Sequence, residues 1–210
     1  AVTNDKVNYS SLEKLGIPLD KKIVFYSGSV GEKQGLEMIF DVAELAHKNL
    51  PDVLFLFSGD GPYTNKLKEL SNNRRLKNVK FIPLQAWDVY RQIIDISTIN
   101  LVIQRSSASD LVMPSKLLSM LGSGALALVT AEQKTSLHAF ISENNLAVAV
   151  VPEDFKAMYL AIERIVECKS PNIALEIEQI RSNALKYAEN FLSKSATINQ
   201  FLIDIQLVVR

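Results

Sequence analysis

The feature that most constrains this chain is an alternation of short apolar runs with segments of helical periodicity, which continues from Lys22 to Asp154. Ile23–Tyr26 and Val53–Phe57 are continuous apolar runs, typical of strands buried on both faces of a parallel sheet. A glycine-containing loop follows each run, and the next segment carries apolar residues at helical spacing. This order predicts an α/β fold, a doubly wound, Rossmann-like parallel sheet of about six strands with flanking helices.

The predicted elements follow one another without long gaps. We predict strands at Ile23–Tyr26, Val53–Phe57, Val79–Ile82, Ile99–Ile103, Ala125–Val129 and Leu146–Val151. Between them we predict helices at Leu36–Ala46, Tyr63–Asn72, Trp87–Ile96, Pro114–Leu121 and Ser136–Glu143. Beyond Asp154 the pattern is only helical, which predicts C-terminal helices at Phe155–Cys168, Ile173–Phe191 and Ala196–Val209.

These elements divide the chain into three parts. Residues 1–21 are interpreted as a linker with a short helix over Leu12–Gly16, capped by Ser10 or Ser11, and residues 22–193 as the Rossmann-like domain. Residues 194–210 are expected to form a C-terminal helix that is more apolar than one buried stripe requires, so it should pack toward a domain absent from this chain. The first residue is Ala1 rather than methionine, and we therefore expect a fragment of a longer protein.

Composition excludes several classes of protein. The net charge is zero and the lysines and arginines form no basic stripe, which argues against a nucleic-acid partner. Apolar runs stay shorter than the roughly 18 residues of a transmembrane helix, and we expect no signal peptide. The single Cys168 is expected to be an inert packing residue in a reducing cytoplasm. His47 and His138 have no partners at metal-ligand spacing, and the absence of an Asp-x-Asp dyad predicts that no metal is bound.

Two glycine loops follow the first two predicted strands. In the first, Gly28, Gly31 and Gly35 allow backbone to approach a ligand, and Lys33 adds a positive charge. The loop matches neither the dinucleotide fingerprint nor the P-loop, so a tight turn with a solvated lysine is an equally good interpretation. The second loop, Gly59–Pro62, is by itself better interpreted as a turn.

The stretch Gln104–Glu132 reads as a polar loop, a helix and a buried strand, and the rest of the chain is expected to support it. Pro114 suits the first turn of a helix, and Gly122 and Gly124 are expected to end it. A helix N-terminus offers unpaired N–H groups and about half a positive charge, to which Lys116 adds a full one. The start of this helix is therefore a candidate phosphate site.

Four blocks of sequence together resemble the C-terminal half of a GT-B glycosyltransferase of the large retaining family four. They are YSGSVGEKQGLE at 26–37, FSGDGP at 57–62, FIPLQ at 81–85 and DLVMPSKLLSMLGSGALALVTAE at 110–132. The last block is the most specific, and it is similar to the branch typified by the colanic-acid biosynthesis glycosyltransferases. The resemblance covers about residues 22–154.

The resemblance implies that the domain binds a UDP- or GDP-linked sugar while a separate N-terminal domain binds the acceptor. It assigns the leaving diphosphate to Lys33 and Lys116, without a metal, and the nucleobase to the surroundings of Leu84 and Gln85. Further donor contacts are assigned to Gly28, Ser29, Gly31, Gly59, Asp60, Gly61, Met113, Pro114, Ser115 and Ser119.

The chain departs from the family pattern at three positions. The family commonly has arginine where Ser29 stands and glutamates where Leu111 and Ser119 stand. A glutamate at the Ser119 position would bind the ribose, and its loss is expected to weaken donor binding roughly 10- to 100-fold. Asp110, Glu132 and Gln104 are alternative candidates for contacts to sugar hydroxyls.

These observations favour the donor-binding half of a metal-independent hexosyltransferase that makes an extracellular or capsular polysaccharide. The resemblance implies a lipid-linked acceptor and a cytoplasmic protein, peripheral on the inner face of the membrane. A catalytically silent nucleotide-sugar-binding or assembly module is the alternative, and an unrelated Rossmann-like oxidoreductase is disfavoured because G-x-G-x-x-G is missing. We expect the isolated fragment not to catalyse transfer, because half of the cleft is absent.

Overall fold

The computed structural model describes residues 9–106 and 113–193. They form one parallel sheet of six strands in the order β3-β2-β1-β4-β5-β6. The strands are β1 (Lys22–Ser27), β2 (Val53–Ser58), β3 (Val79–Ile82), β4 (Ile99–Val102), β5 (Ala127–Thr130) and β6 (Val148–Val150). The predicted fold class, a doubly wound Rossmann-like sheet, is confirmed.

Helices cover both faces of this sheet. They are α1 (Tyr9–Lys14), α2 (Glu37–Asn49), α3 (Thr64–Asn73), α4 (Trp87–Ile96), α5 (Ser115–Ser123), α6 (Ser136–Asn144), α7 (Phe155–Glu167) and α8 (Pro171–Tyr187). A short π-helical segment, Ala188–Leu192, continues α8. No helix in the described ranges combines the length and the apolar character that crossing a membrane would require.

Strand β1 shows why the apolar runs are continuous rather than alternating. Val24 and Tyr26 point into the core shared with α2 and α7, whereas Ile23 and Phe25 point into the core shared with α4 and α5. Both faces of the strand are therefore buried, and all four side chains are at most 1% exposed.

Several predicted boundaries are wrong, each for a local reason. Ser10 and Ser11 lie inside α1 and do not cap it. Gly122 also lies inside its helix, and only Gly124, with φ +66° at the C-cap, ends α5. Ser170 caps α8 by accepting a hydrogen bond from the Ile173 N–H, so this helix begins two residues earlier than its apolar pattern suggested.

Other predicted segments differ from the structure in length or in position. The strand predicted from Leu146 is shorter, as β6 (Val148–Val150), and Ala125 and Leu126 are buried ahead of β5 rather than within it. Cys168 does not continue α7 but caps it in the left-handed conformation, with φ 42°. The helix predicted at Ala196–Val209 lies outside the described residues, as do residues 1–8 of the predicted linker.

The topology produces a crevice where the strand order reverses. β1 leads into α2 on one face of the sheet, and its neighbour β4 leads toward α5 on the other face. The loops after these two strands therefore diverge at the carboxyl edge of the sheet, which is where open α/β sheets bind ligands.

Candidate functional site

The loop after β1 is a compact turn that presents Lys33. A 3-10 turn, Glu32–Gln34, is closed by Gly35 at φ +65° and by a hydrogen bond from the Gly31 N–H to the Gln34 side chain of 3.0 Å. Lys33 is exposed on this turn and makes no hydrogen bond or ion pair with any residue that the structure describes. Its ammonium group is therefore available to a ligand but is not held in place by the protein.

The two glycine loops are packed directly against each other. The N–H groups of Gly28 and Val30 donate to the carbonyls of Ser58 and Asp60, at 2.9 and 3.0 Å. A Cβ atom at Gly59 would lie 2.1 Å from the Gly28 carbonyl oxygen. The N–H groups of Gly28 and Val30 are therefore already bonded within the protein. Glycine at position 59 is needed for the two loops to pack this closely.

Gly61 also packs against the first glycine loop. A Cβ atom there would lie 2.2 Å from the Val30 carbonyl oxygen, and its own N–H is held by the Asp60 carboxylate at 2.8 Å. Pro62 follows at the turn into α3, as the interpretation of this loop as a turn predicted.

Helix α5 begins at Ser115, directly after Pro114, and its first turn carries Lys116. The first N–H groups of a helix have no partner one turn back, although that of Leu117 already donates to the Pro114 carbonyl at 3.0 Å. The side chain of Lys116 lies across Gly28, where a Cβ atom would be 2.5 Å from Nζ and 2.7 Å from Cε. Glycine at position 28 is therefore needed to make room for this lysine.

The ammonium of Lys116 is held by Tyr26. Nζ lies 4.6 Å from the centre of the Tyr26 ring and donates a hydrogen bond of 3.5 Å to its hydroxyl. Within the described residues no carboxylate lies in ion-pair distance of Lys116. Burial lowers the pKa of Lys116 from 10.5 to about 8, so the group is still mostly charged at neutral pH.

Tyr26 is a residue of this site that the sequence interpretation missed, because it lies in an apolar run and was assigned to the core. It is 1% exposed, and its hydroxyl donates to the Ser29 carbonyl at 2.7 Å. Burial raises the pKa of this phenol well above its usual range, so it stays protonated. Ser29 itself is exposed on the loop.

The ends of β4 and β5 bring together the polar candidates. Gln104 and Thr130 exchange two hydrogen bonds, from the Gln104 N–H to the threonine hydroxyl at 2.7 Å and from that hydroxyl to the Gln104 carbonyl at 2.8 Å. The Ser106 hydroxyl lies 3.4 Å from the Glu132 carboxylate and 3.3 Å from that of Glu153. Glu132 thus belongs to an acidic cluster that also includes Glu153, which the sequence did not single out.

Arg105 is a second residue that sequence reasoning missed. Its side chain lies across Gly35, with Nε 3.2 Å from where a Cβ atom would be, and Nη2 is 3.8 Å from the Glu37 carboxylate. The Nε group is buried without a hydrogen-bond partner in the described part of the chain. Asp110 and Leu111, the other candidates on this loop, lie outside the described residues.

The loop expected to contact a nucleobase is exposed at its tip. Leu84 is 63% exposed, and the Gln85 side chain folds back onto the Pro83 carbonyl at 2.6 Å. Between this loop and the second glycine loop is a pocket of about 450 Å³, lined by Gly59, Asp60, Thr64, Lys68 and Phe81–Leu84.

Ser119 lies one turn into α5. Its hydroxyl donates to the Ser115 carbonyl at 3.5 Å, and it lines a cavity of about 410 Å³ between α4, α5 and the end of α8. Trp87, 64% exposed at the start of α4, lies on the opposite side of this cavity. Met113 is exposed ahead of the helix, and Pro114 is half-buried.

The histidines lie away from these loops. His47 is exposed in the last turn of α2, and His138 is in α6, with its ring 3.4 Å from the Ser142 hydroxyl. Among residues 9–106 and 113–193 no three His, Cys, Asp or Glu side chains are grouped as a metal site requires.

The fold is a Rossmann-like domain, and solved glycosyltransferase structures share it. A glycosyltransferase from Rickettsia africae matches with a TM-score of 0.76 at 17% identity, over 96% of this chain and 52% of that one. Anabaena Alr3699/HepE, solved in complex with UDP and glucose, matches with a TM-score of 0.72 at 17% identity, over 94% of this chain and 51% of that one. At these identities the likeness shows the fold alone.

Sequence comparison identifies the family. Residues 10–187 match the model of the glycosyl transferases group 1, and the chain belongs to this family. The Escherichia coli K12 protein named as colanic acid biosynthesis glycosyl transferase WcaI is 34% identical over 194 residues, which cover 92% of this chain and 45% of that protein. The resemblance to the colanic-acid branch is thereby confirmed, and the chain spans less than half the length of this curated relative.

Proposed function

We propose that this domain binds the nucleoside diphosphate of a UDP- or GDP-linked sugar in a glycosyltransferase of polysaccharide biosynthesis. The observation that carries the proposal is the start of α5, where a partly buried, charged Lys116 is fixed beside a helix N-terminus without a carboxylate partner in the described residues. A partly desolvated cation without a counter-ion is unfavourable on its own, and a diphosphate supplies the missing negative charge.

The surroundings of Lys116 support this assignment. Lys33 is exposed on the β1 loop, and Arg105 lies across the end of that loop with an unpartnered Nε. Transfer with a nucleoside diphosphate as leaving group needs stabilisation of developing negative charge, which fixed cations and backbone N–H groups provide. We therefore assign Lys116 and Lys33 to the leaving diphosphate, with no metal in the reaction.

The whole protein, by this proposal, has a second domain that binds the acceptor and closes over the donor. The matched relative is about twice as long as this chain, which supports such a partner domain. A lipid-linked sugar at the inner membrane surface is the acceptor we propose, with an extracellular or capsular polysaccharide as the product. The isolated chain is then expected to bind donor without transferring sugar, because proximity of the two substrates contributes much of the rate.

Calorimetric titration of this chain with UDP, GDP and NAD, in buffer with EDTA and again with Mg²⁺, tests the proposal. Metal-independent binding of one nucleoside diphosphate, with no binding of NAD, is the expected result and identifies the donor class. Binding of NAD, or of none of the three, contradicts it.

One observation favours the alternative of a catalytically silent module. Ser119 occupies the position of a family glutamate, and its short side chain bonds within its own helix, which leaves a ribose without a carboxylate there. Transfer by the full-length protein, supplied with the donor identified above and a lipid-linked acceptor, would exclude this alternative. Binding without turnover would favour it.

A further inference from the structure

We infer that Tyr26 is a positioning residue for the donor diphosphate: it holds the Lys116 ammonium in place and ties it to the β1 loop. The inference rests on the proposed function and goes beyond it, because Tyr26 itself belongs to the buried face of β1 and is 1% exposed. Its action on a ligand is therefore through Lys116 and the loop, not by contact.

The hydrogen-bond arrangement around the phenol is specific. A tyrosine hydroxyl has one proton to donate, and the 2.7 Å bond to the Ser29 carbonyl uses it. The hydroxyl oxygen is left as an acceptor, which is what the Lys116 ammonium at 3.5 Å requires. Tyr26 thus connects the start of α5 to the first glycine loop through one oxygen atom.

The ring adds a second restraint. The ammonium lies 4.6 Å from the ring centre, within the range of a cation–π contact. The ring cannot move away, because it packs against Phe57 with 5.9 Å between ring centres inside the core. The side chain of Lys116 also runs over Gly28. A free lysine side chain loses rotamer entropy when a ligand orders it, so holding it before the ligand arrives lowers the cost of binding.

A purely structural role would not need the hydroxyl. Phenylalanine would fill the same core position and keep the ring beneath Lys116, while removing both hydrogen bonds. The change Tyr26→Phe therefore separates packing from positioning. Tyr159→Phe is the matched control, since Tyr159 is also buried and its hydroxyl also donates a hydrogen bond, to Glu163 on its own helix.

A double-mutant cycle on nucleoside-diphosphate affinity tests the inference. We expect Tyr26→Phe to weaken binding of whichever of UDP or GDP the wild type binds, by roughly 5-fold, the effect of one hydrogen bond. In a Lys116→Ala background the same change is expected to have no further effect, because its action passes through the lysine. Tyr159→Phe should leave affinity unchanged in both backgrounds.

The outcomes separate the inference from the proposed function. A wild type that binds neither nucleotide overturns both. Binding by the wild type with an equal loss from Tyr26→Phe in both backgrounds, or with no loss in either, overturns the positioning role alone. Should Tyr26→Phe fail to fold, lysine-selective NMR of the wild type decides: an Lys116 signal shifted by the ring current and perturbed by nucleotide supports the role, and an unshifted signal contradicts it.

Discussion

The two lysines assigned to the diphosphate lie in very different surroundings. Lys33 stands exposed on a 3-10 turn without a contact in the described residues, whereas Lys116 is partly buried between Gly28 and the ring of Tyr26. The first must be ordered by its ligand, and the second is ordered by the fold. Since ordering a long side chain costs free energy, the difference predicts that Lys116 contributes more to donor affinity than Lys33 does.

The largest effect is expected from Lys116→Ala. Loss of a fixed charge-assisted contact should weaken UDP or GDP binding roughly 10- to 100-fold. Calorimetric titration measures it, with Lys48→Ala as control, because Lys48 is exposed in the last turn of α2. An affinity no lower than that of the control would remove Lys116 from the site.

Gly28→Ala is expected to come next, with about a tenfold loss of affinity. The new methyl group would occupy the place of the Lys116 Nζ, and Gly28 has φ +121°, which is strained for alanine. We therefore also expect a loss of stability of about 1–3 kcal/mol by chemical denaturation.

Gly122→Ala is the matched control for that change. This glycine lies inside α5 with nothing within 4 Å of its Cβ position, so alanine there should raise stability by up to about 1 kcal/mol. Its affinity for the nucleotide should be unchanged. If Gly28→Ala binds the nucleotide as tightly as Gly122→Ala does, the path of the Lys116 side chain over the loop does not contribute to nucleotide affinity.

Raising the pH should weaken binding by about as much as Gly28→Ala does. The pKa of Lys116 is about 8 in the free protein, so above pH 8 an incoming diphosphate must first restore the proton. We expect roughly a tenfold loss of affinity between pH 7 and pH 9, one tenfold step per unit above the pKa. The dependence should disappear in Lys116→Met, and its persistence there would assign it to another group.

The same shift has a defined effect on stability. Because the folded pKa is lowered, the folded state binds fewer protons than the unfolded state between about pH 8 and 10.5, so stability should rise with pH across that window. Below pH 8 both states carry the proton, and the cost of the buried charge is fully present. Denaturation of the wild type and of Lys116→Met at pH 7 and pH 10 measures the difference.

The smallest effect is expected from Lys33→Ala, a loss of affinity of about threefold at physiological salt. An exposed charge is screened, so the loss should shrink further as salt is raised. Titrations at two salt concentrations check this. A loss larger than that of Lys116→Ala would reverse the comparison between the two lysines.

The sequence predicts the features of this molecule that depend on local pattern, which are the strands and the two lysines. Continuous apolar runs between helical segments indicate a buried parallel sheet, and all six predicted strands start within two residues of those observed because both faces of each run are covered. Lys33 and Lys116 could be selected as candidates because polar residues after buried strands lie at one edge of such a sheet.

Tyr26 and Arg105 could not be found in that way. The role of Tyr26 depends on a lysine 90 positions later in the chain, and nothing in an apolar run distinguishes a core tyrosine from one that holds a cation. Arg105 meets Gly35 and Glu37 only because β4 lies beside β1. The local sequence pattern also does not show that helix α5 continues through Gly122 and ends at Gly124.

Lysine-selective NMR titration can show whether the start of α5 holds the diphosphate through Lys116. We expect a Lys116 pKa of about 8 in the free protein and a higher value once UDP or GDP is bound, because the phosphate charge favours the protonated form. The NMR signal of Lys48, which is exposed in the last turn of α2, should not respond to nucleotide. Saturation with a nucleotide that leaves the pKa of Lys116 unchanged would contradict the account.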